Sequence, residues 1–365
     1  MRPETEDDLS AAIRDARGPL AIRGGGTRGF SVAGAVLETG ALSGVSLYEP
    51  GALTVVAGAG TPLADLEAAL AAEGQRLAFE PVDHRGLLGT SGTPTIGGVV
   101  AANVSGPRRV QVGAARDFLL GVRFVDGAGR VVKNGGRVMK NVTGYDLVKL
   151  MAGAHGTLGV LTEVALKVLP VPEMSATLRI ETARAGTAVR IMAAALRSPY
   201  EVTGAAWDGA AIWLRLEGFE ASVRYRLGQL AAALNGFGAA DEAPCDWAAI
   251  RDATVLPGEG DIWRLSVKPS DAPGVLERLG AQAALLDWGG GLIWARMAAG
   301  SDVRARMQVP GHATLLRAAP DTRARLGVFH PEPPALAAIS TGLRAKFDPR
   351  GLLNSGLMAA PDKVA

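Results

Sequence analysis

The chain reads Arg23-Gly24-Gly25-Gly26-Thr27-Arg28-Gly29-Phe30 directly after the short apolar run 20–22, which is predicted to be a strand. Consecutive glycines can adopt positive φ, so that successive N–H groups turn into one concavity, and their missing Cβ atoms leave room for a diphosphate. The stretch therefore predicts a loop that binds an anion through its backbone. Three glycines alone are equally typical of a flexible turn. The combination of a G-x-G-x-x-G spacing with a following helix and acidic residue is missing, and no Gly-Lys-Ser/Thr follows, which excludes a Rossmann fingerprint and a Walker loop.

Two further glycine-rich stretches follow. In residues 95–109, Gly97 and Gly98 open a predicted helix of small residues, whose N-terminal N–H groups can face a ligand, although close helix packing explains them too. The third stretch runs from Lys140 to Leu147 and continues through Gly153 to the sequence Gly156-Thr157-Leu158-Gly159-Val160, which leads into a predicted strand. Taken alone, this third stretch is a weak signal.

Composition limits the class of protein. The chain has 365 residues, is 48% hydrophobic and carries a net charge of +2. Its length predicts two domains at roughly 100–200 residues each. No run of Lys or Arg stands out, so neither a nucleic acid nor an anionic membrane surface is indicated as a partner. The single cysteine, Cys245, excludes an internal disulfide and a four-cysteine iron–sulfur or zinc site.

The N-terminal residues are acidic and amphipathic, unlike a signal peptide, and no apolar run reaches the roughly 18 residues of a membrane span. We therefore expect a cytoplasmic protein that meets the inner membrane only through partner subunits.

Periodicity predicts the order of the elements. Residues 5–16 have helix spacing, Thr61 and Pro62 are expected to cap and open a helix, and Asp126-Gly127 marks a hairpin between two strands. The strand 160–169 meets Pro170 and Pro172, which indicates a domain boundary. Beyond it, strand-like segments alternate with Ala/Leu/Arg helices, an α+β pattern with an antiparallel sheet. We expect domains at 1–170 and 171–328, with a C-terminal helix and tail, 329–365, that return to the first domain.

Together and in this order, the three stretches resemble the FAD-binding domain of the vanillyl-alcohol oxidase family. The resemblance covers residues 1–170 and implies an α+β fold, with a two-part PCMH-type FAD-binding domain and a smaller α/β cap domain. It also implies that the first loop holds the FAD pyrophosphate. The segment 347–356 resembles the family's C-terminal DPxGxxNPG ending, with Ser355 in place of the usual proline. Residue by residue, the resemblance implies a cofactor-binding set of Arg23, Gly24, Gly25, Gly26, Thr27, Phe30, Pro81, Thr95, Ile96, Gly97, Gly98, Asn103, Gly106, Gly156, Gly159 and Val160.

Over nearly the whole chain, the sequence resembles the E-subunit family of bacterial glycolate oxidases, in segments that include 60–70, 106–121, 139–153 and 158–170. This resemblance implies an FAD-dependent oxidoreductase subunit acting on the CH–OH group of glycolate or D-lactate. It also implies two partners, a catalytic flavoprotein of D type and an iron–sulfur subunit of F type. Thr27 stands where some relatives have a histidine that links FAD covalently, so noncovalent FAD is expected.

Catalytic hydroxy-acid dehydrogenases of this family carry an H-x-G-D-G-N-x-H segment in the second domain. The comparable segment here runs from Asp287 to Trp294, and both histidines are replaced, so no metal site is expected. His155 is expected to be a structural residue and His84 a solvated loop residue, with a position near the flavin as the alternative for both. Arg264 is expected to be a surface arginine, with carboxylate binding as its alternative.

No catalytic residue is assigned from the sequence. The first functional hypothesis is an accessory or electron-relay flavoprotein whose partner oxidises the substrate. The second is a self-sufficient flavin oxidoreductase that uses His84 or His155 near the flavin. The third, a scaffold without cofactor, fits poorly with the intact glycine loop.

Overall fold

The computed structural model describes residues 1–30, 32–137 and 144–358, so Lys140 to Thr143 of the third glycine-rich stretch lie outside the described residues. No helix in these three ranges is long and apolar enough to cross a membrane. The elements up to residue 170 are α1 Glu6–Asp15, β1 Leu20–Arg23, β2 Ala35–Glu38, β3 Val45–Glu49, β4 Thr54–Gly58, α2 Leu63–Ala72, β5 Gln75–Arg76, α3 Arg85–Leu88, α4 Ile96–Ala102, α5 Arg109–Val112, α6 Ala115–Phe118, β6 Leu119–Val125, β7 Val131–Gly135, α7 Leu147–Met151, β8 Val160–Lys167 and β9 Leu169–Pro170.

The remaining elements build a second sheet and its helices. They are β10 Met174–Glu181, α8 Ala185–Arg197, β11 Gly204–Trp207, β12 Ala211–Gly218, α9 Glu220–Leu234, β13 Asp241–Glu242, α10 Trp247–Arg251, β14 Asp261–Val267, α11 Ala272–Leu279, β15 Ala283–Asp287, β16 Leu292–Met297, α12 Val303–Met307, β17 Gly311–Arg317, α13 Pro320–Leu326 and α14 Pro334–Phe347.

Local sequence signals account for several of these elements. Thr5 and Asp8 form a reciprocal capping box at the start of α1. The predicted hairpin joins β6 to β7, and the Asp126 Oδ1 atom accepts hydrogen bonds from the backbone N–H groups of Ala128 and Arg130 in its turn. The prediction for α2 was wrong in detail. Pro62 occupies the N-cap, because the Thr61 hydroxyl is used elsewhere and donates to the Gly58 carbonyl oxygen at 2.7 Å.

The first sheet has five antiparallel strands in the order β3-β4-β8-β6-β7, and the two-stranded parallel pair β1-β2 lies beside it in the chain's first part. The core of the sheet is built from the apolar faces of α2 and α4 against β8, with Leu66, Ile96 and Val164 fully buried. A separate small core joins α1 to β1 and to the tail residues Leu352 and Leu353. The chain therefore returns to the first sheet's domain near its C-terminal end.

The second sheet has eight strands in the order β13-β10-β12-β11-β15-β16-β14-β17, and all the described pairings within it are antiparallel. The helices α8, α9 and α11 cover one face. The other face packs Ile262, Leu285 and Trp294 against residues that include Leu87 of the first part. The predicted α+β class with an antiparallel second sheet is confirmed. We retain 1–170, 171–328 and 329–365 as a proposed division into domains.

A buried ion cluster joins the two parts of the chain. The Glu217 carboxylate of β12 contacts Arg76 Nη1 at 2.8 Å and also pairs with Arg108, while Arg215 Nη1 contacts Glu80 Oε1 at 2.8 Å. Burial alone would raise the pKa of Glu217, but Arg215, Arg108 and Arg76 outweigh it and lower that pKa to about 2. Such a cluster tolerates the loss of one member poorly, because the remaining charges stay buried without compensation.

We predict that Glu217→Gln lowers the free energy of unfolding by about 3 to 5 kcal/mol at pH 7, since three arginines then lose their shared carboxylate. Chemical denaturation of the purified variant measures this. The matched control is Glu181→Gln, which removes an exposed partner of Arg179 and should cost less than about 1 kcal/mol. Equal stability of the two variants would contradict the role assigned to the cluster.

The same carboxylate should also make stability depend on pH. Its folded pKa of about 2 lies below the ordinary value of 4.5. Its contribution is therefore fully present above pH 4.5 and is lost as the pH falls towards 2. The free energy of unfolding of wild type should fall more steeply than that of Glu217→Gln across this interval, and parallel curves would refute the assignment.

Candidate cofactor site

A cavity of about 810 Å³ opens between the loop after β1, the start of α4, the turn before β8 and the tail residue Asn354. This volume is in the range of sites that hold sizeable organic ligands. Most of the predicted cofactor-binding residues line it, namely Arg23, Gly24, Gly25, Gly26, Thr27, Phe30, Thr95, Gly97, Gly98, Gly156, Gly159 and Val160. The fold therefore brings the three glycine-rich stretches to one place.

The first loop packs backbone to backbone against residues 92–95. A Cβ atom on Gly25 would lie 1.6 Å from the Thr93 carbonyl oxygen, and one on Gly92 would lie 1.7 Å from the Gly25 carbonyl oxygen. Gly26 alone within the triplet has positive φ, at 70°, and a Cβ atom on it would meet only the Arg23 Cδ atom, at an ordinary contact distance of 3.8 Å. The missing Cβ of Gly25 thus serves the contact with Thr93, whereas the sequence suggested that it made room for a ligand. Gly26 is the member that faces no obstruction.

The two glycines at the start of α4 have different roles. A Cβ on Gly97 would lie 2.6 Å from the Ala59 carbonyl oxygen, so Gly97 permits close packing of the helix on the end of β4. Gly98 meets only the Thr95 hydroxyl oxygen, which accepts a hydrogen bond from the Gly98 N–H as the helix cap. Close helix packing therefore accounts for Gly97, while a ligand-facing role for the start of α4 stays a prediction.

The C-terminal ending completes the wall of the cavity. The Asn354 side chain accepts a hydrogen bond from the Ile22 N–H at 2.8 Å and donates one to the His155 carbonyl oxygen, also at 2.8 Å. It thereby fixes β1 to the turn that contains Gly156, whose φ is 74°. Ser355, which replaces the usual proline, does not disturb this arrangement of its neighbour.

Four residues of the predicted set are not among those that line the cavity. Ile96 is fully buried in the core, and Pro81 is buried. Asn103 ends α4 in the left-handed conformation, and its Oδ1 atom accepts a hydrogen bond from the Arg116 N–H. Gly106 packs against Glu80. A role for these four in cofactor binding stays a prediction.

Arg28 is a lining residue that the sequence argument did not single out. Its Nη1 atom donates to the Val82 carbonyl oxygen at 3.2 Å and contacts His84 Nδ1, while its buried Nε atom has no partner among the described residues. Burial lowers the pKa of Arg28 to about 10, so the guanidinium remains charged at neutral pH. With Arg2 and Arg23 also at the cavity, the site suits an anionic ligand. The position of Arg28 within the glycine loop is the sequence signal that could have identified it.

Two histidines lie at or near the cavity. His155 lines it, with ring centroids 4.9 Å from Phe329 and 5.6 Å from Phe30. Burial, with a smaller effect of Arg28, lowers the pKa of His155 to about 4, so its imidazole is neutral at pH 7. His84 is only 8% exposed, and burial lowers its pKa well below the ordinary value. The expectation of a solvated His84 was therefore wrong, because its ring is enclosed by Arg28 and the second sheet.

The segment that replaces the histidine-rich motif is buried. Asp287 is 2% exposed, and burial raises its pKa to about 7. Arg264 was expected at the surface, but its guanidinium stacks over the rings of Trp288 and Trp294. Within the described ranges, no group of three or more His, Cys, Asp or Glu side chains could hold a metal ion.

Known proteins resemble this chain at two levels. Residues 1–135 match the family described as FAD binding domain, which supports FAD as the cofactor. The solved structure of an alkyldihydroxyacetonephosphate synthase has the same fold, with a TM-score of 0.70 over 98% of this chain and 76% of that chain at 15% identity.

Sequence relatives are more specific. The D-lactate dehydrogenase of Archaeoglobus fulgidus is 32% identical over 178 residues, 47% of this chain and 38% of that protein. Glycolate oxidase subunit GlcD of Bacillus subtilis is 42% identical over 84 residues, 23% of this chain and 18% of that protein. Glycolate oxidase subunit GlcE of Escherichia coli K12 is 38% identical over 363 residues, 97% of this chain and 96% of that protein. Because this last match spans both sequences almost completely, the chain belongs to the GlcE family of glycolate oxidase subunits.

Proposed function

We propose that this chain is an FAD-binding subunit of a multisubunit glycolate oxidase, which oxidises glycolate, and D-lactate, to the 2-oxo acid. Within that complex it acts as an accessory or electron-relay flavoprotein. The observation that carries the proposal is the glycine-lined cavity, in a chain that matches GlcE over 97% of its length. Bound FAD would supply the redox chemistry, and the protein its position and surroundings.

The residues of the cavity fit FAD. The backbone N–H groups of 24–27 would hold the diphosphate, and the charge of Arg28 lies beside the same loop. Phe30 and His155 line the cavity and Phe329 packs against both rings, so this aromatic group would keep water from the flavin ring. We propose that the FAD is noncovalent, since Thr27 offers no imidazole or thiol at the loop and Cys245 is not among the lining residues.

The proposed partners are a D-type catalytic flavoprotein and an F-type iron–sulfur subunit. The match to GlcD of Bacillus subtilis indicates that such a flavoprotein shares part of this chain's sequence pattern. With one cysteine, this chain cannot supply four thiolate ligands to a cluster. Clusters would therefore belong to a partner, which would also bring this chain to the cytoplasmic side of the inner membrane.

One observation favours the second hypothesis, a self-sufficient oxidoreductase. His155 lines the cavity as a neutral imidazole, and a neutral imidazole can accept the proton of a substrate hydroxyl. The accessory hypothesis is preferred because Asp287 and Trp294 stand where catalytic relatives carry metal-binding histidines.

We predict that Gly26→Asp loses FAD, while Gly26→Asn retains most of it. Both side chains tolerate the positive φ of this residue, and both have space, but only aspartate brings a charge that repels the diphosphate. The flavin absorbance of purified protein measures occupancy, and affinity should fall at least about 10-fold for Asp relative to Asn. Gly25 is unsuitable, because any Cβ there collides with Thr93. Equal occupancy in the two variants would refute the loop assignment.

We also predict that the isolated chain does not oxidise glycolate, and that activity appears when the D-type and F-type subunits are added. Dye-coupled oxidation of glycolate and D-lactate measures this, with the complete complex as the positive control. Turnover by the lone flavin-bearing chain would favour the self-sufficient hypothesis. His155→Phe would then test whether the imidazole accepts the proton, with His312→Phe as a control at a histidine that does not line the cavity.

A further inference from the structure

Two arginines stack on the indole ring of Trp288. The Arg109 guanidinium carbon lies 4.4 Å from the ring centroid and that of Arg264 lies 5.2 Å from it, while Arg264 is also 5.9 Å from Trp294. Arg109 begins α5 in the first part of the chain, and Arg264 belongs to β14 in the second sheet. The pair therefore brings together two positive charges from opposite sides of the domain junction.

Neither guanidinium has a hydrogen bond or an ion pair with any residue in 1–30, 32–137 or 144–358, although both are at least half-buried. Other arginines of this sheet are paired: Arg215 with Glu80, and Arg179 with Glu181. Burial and the nearby Arg109 lower the pKa of Arg264 to about 10, so it is still charged at pH 7. Both side chains are partly exposed, so their charged donors are open to an acceptor from outside the chain.

Neighbouring groups do not supply that acceptor. The Asp287 Oδ1 atom accepts a hydrogen bond from the Trp288 N–H at 2.7 Å and forms no ion pair with Arg264 among the described residues. On the other side, the His84 ring lies 6.2 Å from the Trp294 ring and contacts Arg28, which adds further positive charge. The region is thus a cationic patch, linked through His84 and Arg28 to the wall of the cofactor cavity.

We propose that Arg109, Arg264 and Trp288 form a binding site for a short-chain carboxylate. A planar guanidinium matches the two oxygens of a carboxylate, and a second guanidinium compensates the charge from the opposite side. The indole is already fixed, because its Nε1–H donates to the Gly106 carbonyl oxygen at 3.0 Å. All three side chains retain some exposure, so a small ligand can reach them. That the carboxylate is a 2-hydroxy acid rests on the proposed function.

Isothermal titration of the purified full-length chain with glycolate tests this site. Glycolamide, which has no charge, and inorganic phosphate serve as comparison ligands. We expect glycolate to bind and glycolamide not to bind. Arg264→Gln and Arg109→Gln should each weaken glycolate binding roughly 10- to 100-fold, because a charge-assisted pair of hydrogen bonds is lost. The glycolate affinity of Arg264→Lys should lie between those of wild type and Arg264→Gln, since lysine keeps the charge but lacks the paired N–H donors of a guanidinium.

The matched control is Arg179→Gln, an arginine of the same sheet that also stacks on an indole, Trp213, but is paired with Glu181. Unchanged affinity is expected for it. No binding by wild type, equal binding of phosphate, or unchanged affinity in correctly folded Arg264→Gln would overturn the proposal. If both Arg264 variants fail to fold, unchanged glycolate affinity in Arg109→Gln would overturn the proposal instead.

Flavin content measured in the same samples separates this inference from the proposed function. A chain that contains flavin but does not bind glycolate would refute the carboxylate site and leave the proposed function unaffected. A chain that binds glycolate but never FAD would support the site and defeat the proposed function.

Discussion

The Glu217 carboxylate, held among three arginines, is the constraint on which the relation between the two sheets depends. Arg76 and Arg108 of the first part of the chain pair with this carboxylate, and Arg215 of the second sheet forms an ion pair with Glu80 of the first part. Oppositely charged groups with little access to water leave few alternative arrangements, so the cluster defines a single docking position. Weaker contacts between the two parts of the chain then form in that position. One is the hydrogen bond that Arg323 donates to the Gly29 carbonyl oxygen at 2.8 Å.

Local features of the site could be predicted from the sequence, and nonlocal ones could not. The glycine loop, the small-residue helix and the Asp126 turn each depend on neighbours a few positions apart, and the structure contains all three. The environment of His84 depends on Arg28, 56 positions away, and on Trp294 of the second sheet. The spacing of apolar residues along the sequence does not reveal burial that is caused by residues so far apart. The same reason explains why Arg264 was expected at the surface.

Glycines in this site show that one sequence signal can have two physical causes. Gly25 and Gly97 are required by a neighbouring backbone, at Thr93 and Ala59 respectively, whereas a Cβ atom on Gly26 or Gly98 would meet only a side-chain atom, of Arg23 or Thr95. A motif comparison weights all four alike. Only the positions of their absent Cβ atoms distinguish residues that shape the wall from residues that can face a cofactor.

The Asn354 side chain joins Ile22, a residue 332 positions earlier, to the carbonyl group of His155. During synthesis, the glycine loop and β1 leave the ribosome long before Asn354 does. A nascent chain therefore has an unfinished cavity wall until Asn354 has emerged. Cofactor loading would then follow the synthesis of this asparagine, and a chain interrupted before it would expose an open cleft to the cell's quality-control proteases.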